Sequence, residues 1–566
     1  MAQFDDEKGQ KKIDELRAQE EEELIQLLAE SKYGIPYINL QNVIIENDAL
    51  RVVPESDART HGVAGFKIVG KNLHMAVHSP SQTGLNVLLD DLTGKGYHIT
   101  LYMTSKASLE KAWDRYKEIS LATASRAGSL DISGETLLAL GEKIKRTSDM
   151  TKIVEEISSE QKMHKISRML EIIMAGAISL GASDVHIEPE EDRARLRFRL
   201  DGVLADVLFF GLDVYKMLNT RLKLLSGMKL TSNQNAQDGR FSIWIKEDEI
   251  SIRSSMIPGT YGESIVMRIL NPKSIRVKLE DMGMQTNLFE IVMREIKKPN
   301  GMILITGPTG SGKTTTLYAF LQKIYTPDIK VITIEDPVEY HLTGITQTQV
   351  ESDKGYTFLE GLRSALRQDP DIIMVGEIRD GETAKIAVES ALTGHLVFST
   401  LHTNNAAGVI PRLIDLDVNP KIMTSALSLS LAQRLVRKLC KECKKERAAT
   451  PEETAILKKV IDAAEAEKKN LAQYGISLGP QFKVWEAPGC DACSGTGYKG
   501  RLGVFEAIYN DEVISDLIPK NPSEREIKRA AQPQGLLDMK EDGVIKILQG
   551  ITSIDEVQSV VDFDED

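Results

Sequence analysis

One eight-residue segment constrains this chain more than any other. Residues 307–314 read Gly-Pro-Thr-Gly-Ser-Gly-Lys-Thr, a match to GxxxxGK[ST]. An apolar run, MILIT, precedes it and a helical pattern, TTLYAFLQKI, follows, so the motif stands in a strand–loop–helix context. Gly307, Gly310 and Gly312 let backbone N–H groups curl around an anion. The helix N-terminus adds partial positive charge. The cradle is Gly307, Pro308, Thr309, Gly310, Ser311, Gly312, Lys313, Thr314 and Thr315. Lys313 reaches the β- and γ-phosphates, and the Thr314 hydroxyl contacts Mg²⁺. These residues predict a nucleoside triphosphate site; alone they do not say what the energy drives.

Three later segments supply groups that could act on the nucleotide. VITIEDPVEY carries Glu335, Asp336 and Glu339 at the end of a β-branched run, where acidic residues of such folds approach the nucleotide. A solvated turn is the alternative there. DPDIIMVGEIRDGET ends an apolar strand in Glu377, the expected carboxylate for orienting or deprotonating water and for helping to hold Mg²⁺. Gly376 stands where an aspartate commonly precedes it, so Thr314, helped by Glu335, Glu339 or waters, is expected to share the metal. In LTGHLVFSTLHTN, His395 and His402 bracket a strand; either could sense the γ-phosphate, and His402 is the better placed.

The four cysteines form two CxxC pairs, Cys440/Cys443 and Cys490/Cys493. Four in 566 residues make no disulfide scaffold. Four thiolates suit tetrahedral Zn²⁺ with no open position for catalysis. The helical insert PEETAILKKVIDAAEAEKK makes the gap longer than a compact ribbon, and a redox pair or free thiols remain open.

The length suggests roughly four domains. With 42% hydrophobic and 27% charged residues the composition is globular. A net charge of −13 argues against a nucleic-acid coat. No apolar run reaches the length of a membrane span, and the charged amino terminus is no secretory signal, so a cytoplasmic protein without direct transmembrane insertion is expected. The segments read as an α/β domain with a leading acidic helix (1–119), a Ser/Ala/Gly-rich linker (120–162), an α/β lobe (163–276), the nucleotide core (277–433), a cysteine-bearing part (434–505) and a helical end (506–566). In RARLRFRLDG basic and apolar residues alternate, the pattern of a strand with one charged face.

The ordered set GPTGSGKT, VITIEDPVEY, LRQDPDIIMVGEIRDGETA and TGHLVFSTLHTNNA closely resembles the secretion ATPase superfamily of type II secretion and type IV pilus motors, with its Walker A, Asp, Walker B and His boxes in order. The resemblance covers 163–566 strongly and 36–119 more weakly. It implies an α/β multidomain subunit: a PAS-like motor lobe, a RecA-like core hydrolysing ATP, a small zinc-binding subdomain and an amino-terminal N1-like docking domain, six copies forming a ring. It implies that arginines of the first lobe reach the phosphates, and by motif position these are Arg240 and Arg253, ahead of Arg195, Arg197 and Arg199. The two CxxC pairs resemble the zinc-binding insertion shared by the pilus-assembly and type II secretion motors, whereas the long amino-terminal region and the long insert between the pairs resemble the pilus-assembly motors more than the type II secretion motors. Docking on an inner-membrane platform protein and a cytoplasmic adaptor is implied. The tandem motif through which some relatives bind cyclic di-GMP has no match in IDELRAQEEEELIQLL, so that ligand is not expected. A RecA-like nucleic-acid motor and a non-hydrolysing nucleotide scaffold are the rivals from other classes.

Overall fold

The computed structural model describes residues 21–563 apart from 42, 44, 47–48, 51, 70, 83, 95, 121–128, 131–133, 157–161, 231–234, 246–247, 272–276 and 477–480. Most of the expected leading acidic helix therefore lies outside the described residues. The chain divides into two compact units, Met1–Ala127 and Gly128–Asp566.

The first unit carries strands β1 (Val63–Val69), β2 (Asn72–Val77) and β3 (His98–Met103) in that order, β1–β2 antiparallel and β2–β3 parallel. The parallel pair requires a crossover, supplied by the helix Leu85–Gly94. Leu73, Met75, Trp113 and Tyr116 are buried in its core. The polar tips are paired: Trp113 Nε1 donates to Val63 O at 2.9 Å and Tyr116 Oη to Val53 O at 2.8 Å.

The second unit holds two seven-stranded sheets. The first comprises β4 (Ser129–Leu130), β5 (Asp184–Pro189), β6 (Arg193–Leu200), β7 (Val203–Gly211), β8 (Gln237–Ile245), β9 (Asp248–Gly259) and β10 (Gly262–Leu270), ordered β4-β8-β9-β10-β5-β6-β7. On β6 the predicted alternation is observed: Ala194, Leu196 and Phe198 are fully buried, while the four arginines lie on the other face. This lobe begins earlier than residue 163. Strand β4 pairs with β8, and Leu140, Ile144 and Met150 of the segment read as linker are buried in the lobe's core. Leu140 lies on the helix Gly134–Lys143, Ile144 four residues on in the turn that follows it, and Met150 on the helix Thr147–Glu156. They outweigh the Ser/Ala/Gly-rich composition that suggested a linker.

The second sheet contains β11 (Gly301–Thr306), β12 (Val331–Glu335), β13 (Thr346–Gln349), β14 (Ile372–Val375), β15 (Leu396–Leu401) and β16 (Leu427–Leu439). A separate pair, β17 (Lys445–Ala448) and β18 (Lys483–Glu486), precedes its last strand, β19 (Tyr498–Tyr509). The order is β13-β12-β14-β15-β11-β16-β19, parallel except for β16–β19. Every residue of β11, β12, β14 and β15 is buried, as expected of parallel strands covered by helices on both faces. The mixed α/β class expected from the sequence is the one observed. Strand β16 runs through the boundary placed at 433/434, so the nucleotide core and the cysteine-bearing part share a strand.

Because β11, β14 and β15 are parallel and in register, their C-terminal ends lie together. Each turns into a loop bearing one of the sequence motifs. The fold thus gathers the P-loop, Glu377 and His402 at one edge of the sheet.

Candidate nucleotide and metal sites

The P-loop leaves β11 at Thr306 and enters the helix Lys313–Ile324 through Gly312. Gly307 has φ 142° and Gly312 has φ 91°, a region that only glycine occupies readily. Space imposes the same choice: a Cβ on Gly307 would stand 2.4 Å from Gln433 O, and one on Gly312 2.8 Å from Gln433 Nε2. Gln433 is itself buried and accepts a 2.7 Å hydrogen bond from Thr316 Oγ1. The loop is therefore packed from behind by β16, and its outer residues Pro308, Thr309 and Gly310 remain exposed.

Lys313 Nζ donates to Gly307 O at 2.8 Å and to Pro308 O at 3.1 Å. Burial, reinforced by the nearby Arg434, holds its ammonium below the usual lysine range; Glu377 opposes the shift. Thr314 is exposed on the first helical turn, and Ser311 Oγ is buried beside Gly307 without a hydrogen-bond partner among the described residues. Curled backbone, a half-buried cation, an exposed hydroxyl and an orphaned buried hydroxyl fit a phosphate chain with its metal.

Glu377 follows β14 and meets two groups. Arg379 pairs with its Oε1, and His402 Nε2 lies 3.1 Å from its Oε2. Burial works to raise the carboxyl, but hydrogen bonds from Arg379 and His402 outweigh it and hold Glu377 below the ordinary glutamate range. Arg379 is a contributor that the motif reading passed over, although it stands two residues away in the same segment. Thr315, the last cradle residue, is partly buried on the helix.

Glu335 and Glu339 have different surroundings. Glu335 is 2% exposed and accepts hydrogen bonds from Tyr318, Thr333 and, at 3.1 Å, Gln347 Nε2. Burial raises its carboxyl despite those three donors. Its oxygens are engaged within the core, so Glu335 anchors the acidic loop to the P-loop helix. Glu339 is more open, and Arg253 reaches it: Arg253 Nη1 lies 3.4 Å from Glu339 Oε2, and Nη2 donates to Val338 O at 2.7 Å. Asp336 and Pro337 between them are joined by a cis peptide bond.

His395 is the member of the set that the fold keeps away. It precedes β15, opposite the start of β11, and its Nδ1 lies 3.0 Å from Ser390 O. The six residues of β15, on the order of 20 Å of strand, separate that end from the P-loop edge. His395 therefore does not reach the P-loop of its own chain.

Arg240 and Arg253 face one another across β8 and β9, and Arg268 on β10 is in register with Arg253. Sequence spacing could not reveal this row of three arginines, because it depends on the register of three strands. Arg240 is exposed, and Arg268 lies 3.0 Å from Asp184 Oδ1. Arg195, Arg197 and Arg199 sit farther across the sheet and pair with Asp206, Glu188 and Asp184.

Two further residues near the cradle carried no sequence signal. Arg434 Nη2 donates to Asn404 O at 2.7 Å and Nη1 to Gln433 O at 3.2 Å. Glu506 is raised by burial and accepts from Ala406 N at 2.8 Å.

At the far end of β16 the cysteines converge. Their sulfur atoms all lie within 4.8 Å of one another, with Cys440–Cys490 at 3.8 Å, Cys443–Cys493 at 3.9 Å and Cys490–Cys493 at 3.8 Å. A tetrahedron of metal–sulfur bonds of about 2.3 Å has sulfur–sulfur edges of about 3.8 Å. Burial opposes ionisation of Cys493, yet N–H donors from Cys490 and Gly497, each 3.1 Å away, help bring it to about 7. Spacing, number and N–H donors fit a metal held by four thiolates; they do not fit disulfides.

The model of the family described as "Type II/IV secretion system protein" matches residues 159–559, and that of the MshEN domain matches 33–123. The type IV pilus assembly ATPase PilB of Myxococcus xanthus (strain DK1622) is 36% identical over 541 residues, which cover 95% of this chain and 91% of the relative. The type II secretion system protein E of Aeromonas hydrophila is 39% identical over 454 residues, 79% of this chain and 86% of that protein. Among solved structures, the Legionella pneumophila ATPase DotB has a TM-score of 0.49 at 23% identity, covering 69% of this chain and 95% of its own.

Proposed function

The chain belongs to the type II/IV secretion system protein family and is an ATPase, and we propose that it is the motor that drives type IV pilus assembly. One observation carries the choice within the family. The pilus-assembly relative aligns with 95% of the chain, through both units, whereas the type II secretion relative aligns with 79%. The second reading, a motor for type II secretion, draws on the higher 39% identity of that relative.

The chemistry follows from the residues at the sheet edge. Gly307–Thr314 hold the phosphates and Lys313 neutralises the β- and γ-oxygens. Mg²⁺ would be held by Thr314 and Glu377, and when bound it offsets charge on the phosphates. Glu377 accepts a hydrogen bond from the attacking water. The water oxygen bonds to the γ-phosphorus as the bond to the bridging β–γ oxygen breaks, releasing ADP and phosphate. A carboxylate held below its ordinary range stays ionised at neutral pH, which suits it to orient the water more than to retain its proton. His402 fixes the orientation of Glu377. Arg253 and Arg240 supply cationic stabilisation of the phosphates, and the contact of Arg253 with the loop of Glu339 ties the first lobe to that loop.

Six copies form a ring in this reading, and closure of the first lobe over the nucleotide moves an inner-membrane platform protein. The unit matched by the MshEN domain serves as the docking domain for that machinery, with a cytoplasmic adaptor as the other partner. The four cysteines hold one structural Zn²⁺. The protein works at the cytoplasmic side of the membrane through these partners; among the described residues no helix is long and apolar enough to cross a membrane.

A deletion strain tests the choice. Loss of surface pili with enzyme export intact supports pilus assembly; intact pili with lost export moves the protein to type II secretion.

A further inference from the structure

Strand β11 lies between β15 and β16, and the loops that leave β15 and β11 meet at the nucleotide edge. Residues 402–406 open the loop that follows β15 and ends before the helix Val409–Asp415. Its first residue, His402, touches Glu377. Its other residues are pinned one after another. Thr403 N donates to Thr306 Oγ1 at 2.8 Å, and the two hydroxyls are 2.7 Å apart, which fixes the loop to the end of β11. Ala406 N donates to Glu506 on β19. Between them, Asn404 O accepts from Arg434, whose guanidinium reaches from β16 across the end of β11.

Arg434 is suited to this span by its shape. A guanidinium presents donors in a fixed fork, so one side chain can hold two carbonyls, Asn404 O and Gln433 O, at once. It is half-buried, and Nη1 would stand 3.1 Å from a Cβ on Gly307, so it is packed beside the first turn of the cradle. Among the described residues both of its acceptors are main-chain oxygens, not side-chain carboxylates. A group that grips two main-chain segments holds backbone geometry rather than balancing a single charge.

We infer that Arg434 is a positioning residue for hydrolysis: it clamps the 402–406 loop to β16, and so sets the ring of His402 against Glu377. The inference rests on the reading of His402 and Glu377 as the groups that govern the attacking water. It predicts dependence of kcat, not of nucleotide binding, on Arg434. It also predicts that the effect passes through His402, so that it disappears once His402 is gone.

The experiment is a double-mutant cycle on the full-length protein, with Arg434→Ala, Arg434→Lys, His402→Ala and the two doubles, reading phosphate release and affinity for a fluorescent ATP analogue. Arg434→Ala is expected to lower kcat roughly tenfold with KM and analogue affinity within about twofold of wild type. Arg434→Lys, which keeps the charge and loses the fork, is expected between the two. Each double is expected to match His402→Ala alone within about twofold. Where the melting temperature of Arg434→Ala falls too far for assay, Arg434→Lys carries the same cycle. Multiplying effects overturn the positioning role while leaving the site reading intact. A tenfold loss of analogue affinity with kcat unchanged also overturns it, making Arg434 a direct phosphate contact. A wild-type rate in His402→Ala alone overturns the reading of His402 and the positioning role with it.

Discussion

Glu377 and His402 leave neighbouring parallel strands and meet with His402 Nε2 3.1 Å from Glu377 Oε2. With Arg379 on the other oxygen, the carboxylate has a cation or donor on each side. That arrangement fixes its orientation and its protonation state together. It also exposes the account to a pH measurement.

Glu377 is held below the ordinary glutamate range, and catalysis in this account requires its ionised form. Activity is then lost as pH falls through that lowered value. His402→Gln removes one of the two groups that hold the value down, so the acidic limb of the kcat/KM profile is expected to move to higher pH. The profile is read in buffers of constant ionic strength; a limb that stays in place contradicts the pairing.

In the proposed mechanism Lys313 is the cation that faces the β- and γ-phosphates, and Lys313→Ala removes it. Binding of a fluorescent ATP analogue is expected to weaken by at least about tenfold, with the melting temperature of the nucleotide-free protein little changed. Its hydrogen bonds run to Gly307 O and Pro308 O, at a partly open edge.

The arginines of the first lobe separate into two groups. Arg253 reaches Glu339 and Val338 O, and Arg253→Ala is expected to lower turnover by roughly 10²-fold. Arg195 is paired with Asp206 at 2.7 Å on an exposed part of the sheet, and Arg195→Ala is expected within about twofold of wild type. Comparable losses in both would deny Arg253 a special role.

The buried Glu335 yields a stability prediction. Tyr318→Phe removes one of its three donors in a position where water cannot replace it. A loss of about 1–3 kcal/mol in urea unfolding is expected. An unchanged midpoint would mean that Thr333 and Gln347 satisfy the carboxylate alone.

The cysteines predict about one Zn per chain by metal analysis. Cys493→Ser is expected to abolish it and to lower the melting temperature. Protein that is folded and free of zinc would remove the site.

The parts of this site that follow from one local segment were legible in the sequence. The glycine spacing of the P-loop, the alternation RARLRFRL and the paired cysteines each carry their own physical requirement. The parts that depend on register were not. The row Arg240–Arg253–Arg268 exists only because β8, β9 and β10 pair as they do. Arg434 matters only because β16 lies beside β11. Glu335 and Glu339 look alike in VITIEDPVEY, but one faces Tyr318 in the core and the other faces Arg253. His395 was readable in principle: it precedes its strand, and a parallel sheet places strand beginnings opposite the nucleotide edge. The lobe boundary was misplaced because Leu140, Ile144 and Met150 are sparse among small polar residues.

The central claim is that Glu377 drives ATP hydrolysis at this sheet edge. Steady-state phosphate release from purified wild-type and Glu377→Gln protein, with analogue affinity measured on the same samples, tests it most directly. The account predicts turnover in the wild type, a loss of roughly 10²-fold or more in Glu377→Gln, and retained affinity. Wild-type turnover in Glu377→Gln would contradict it.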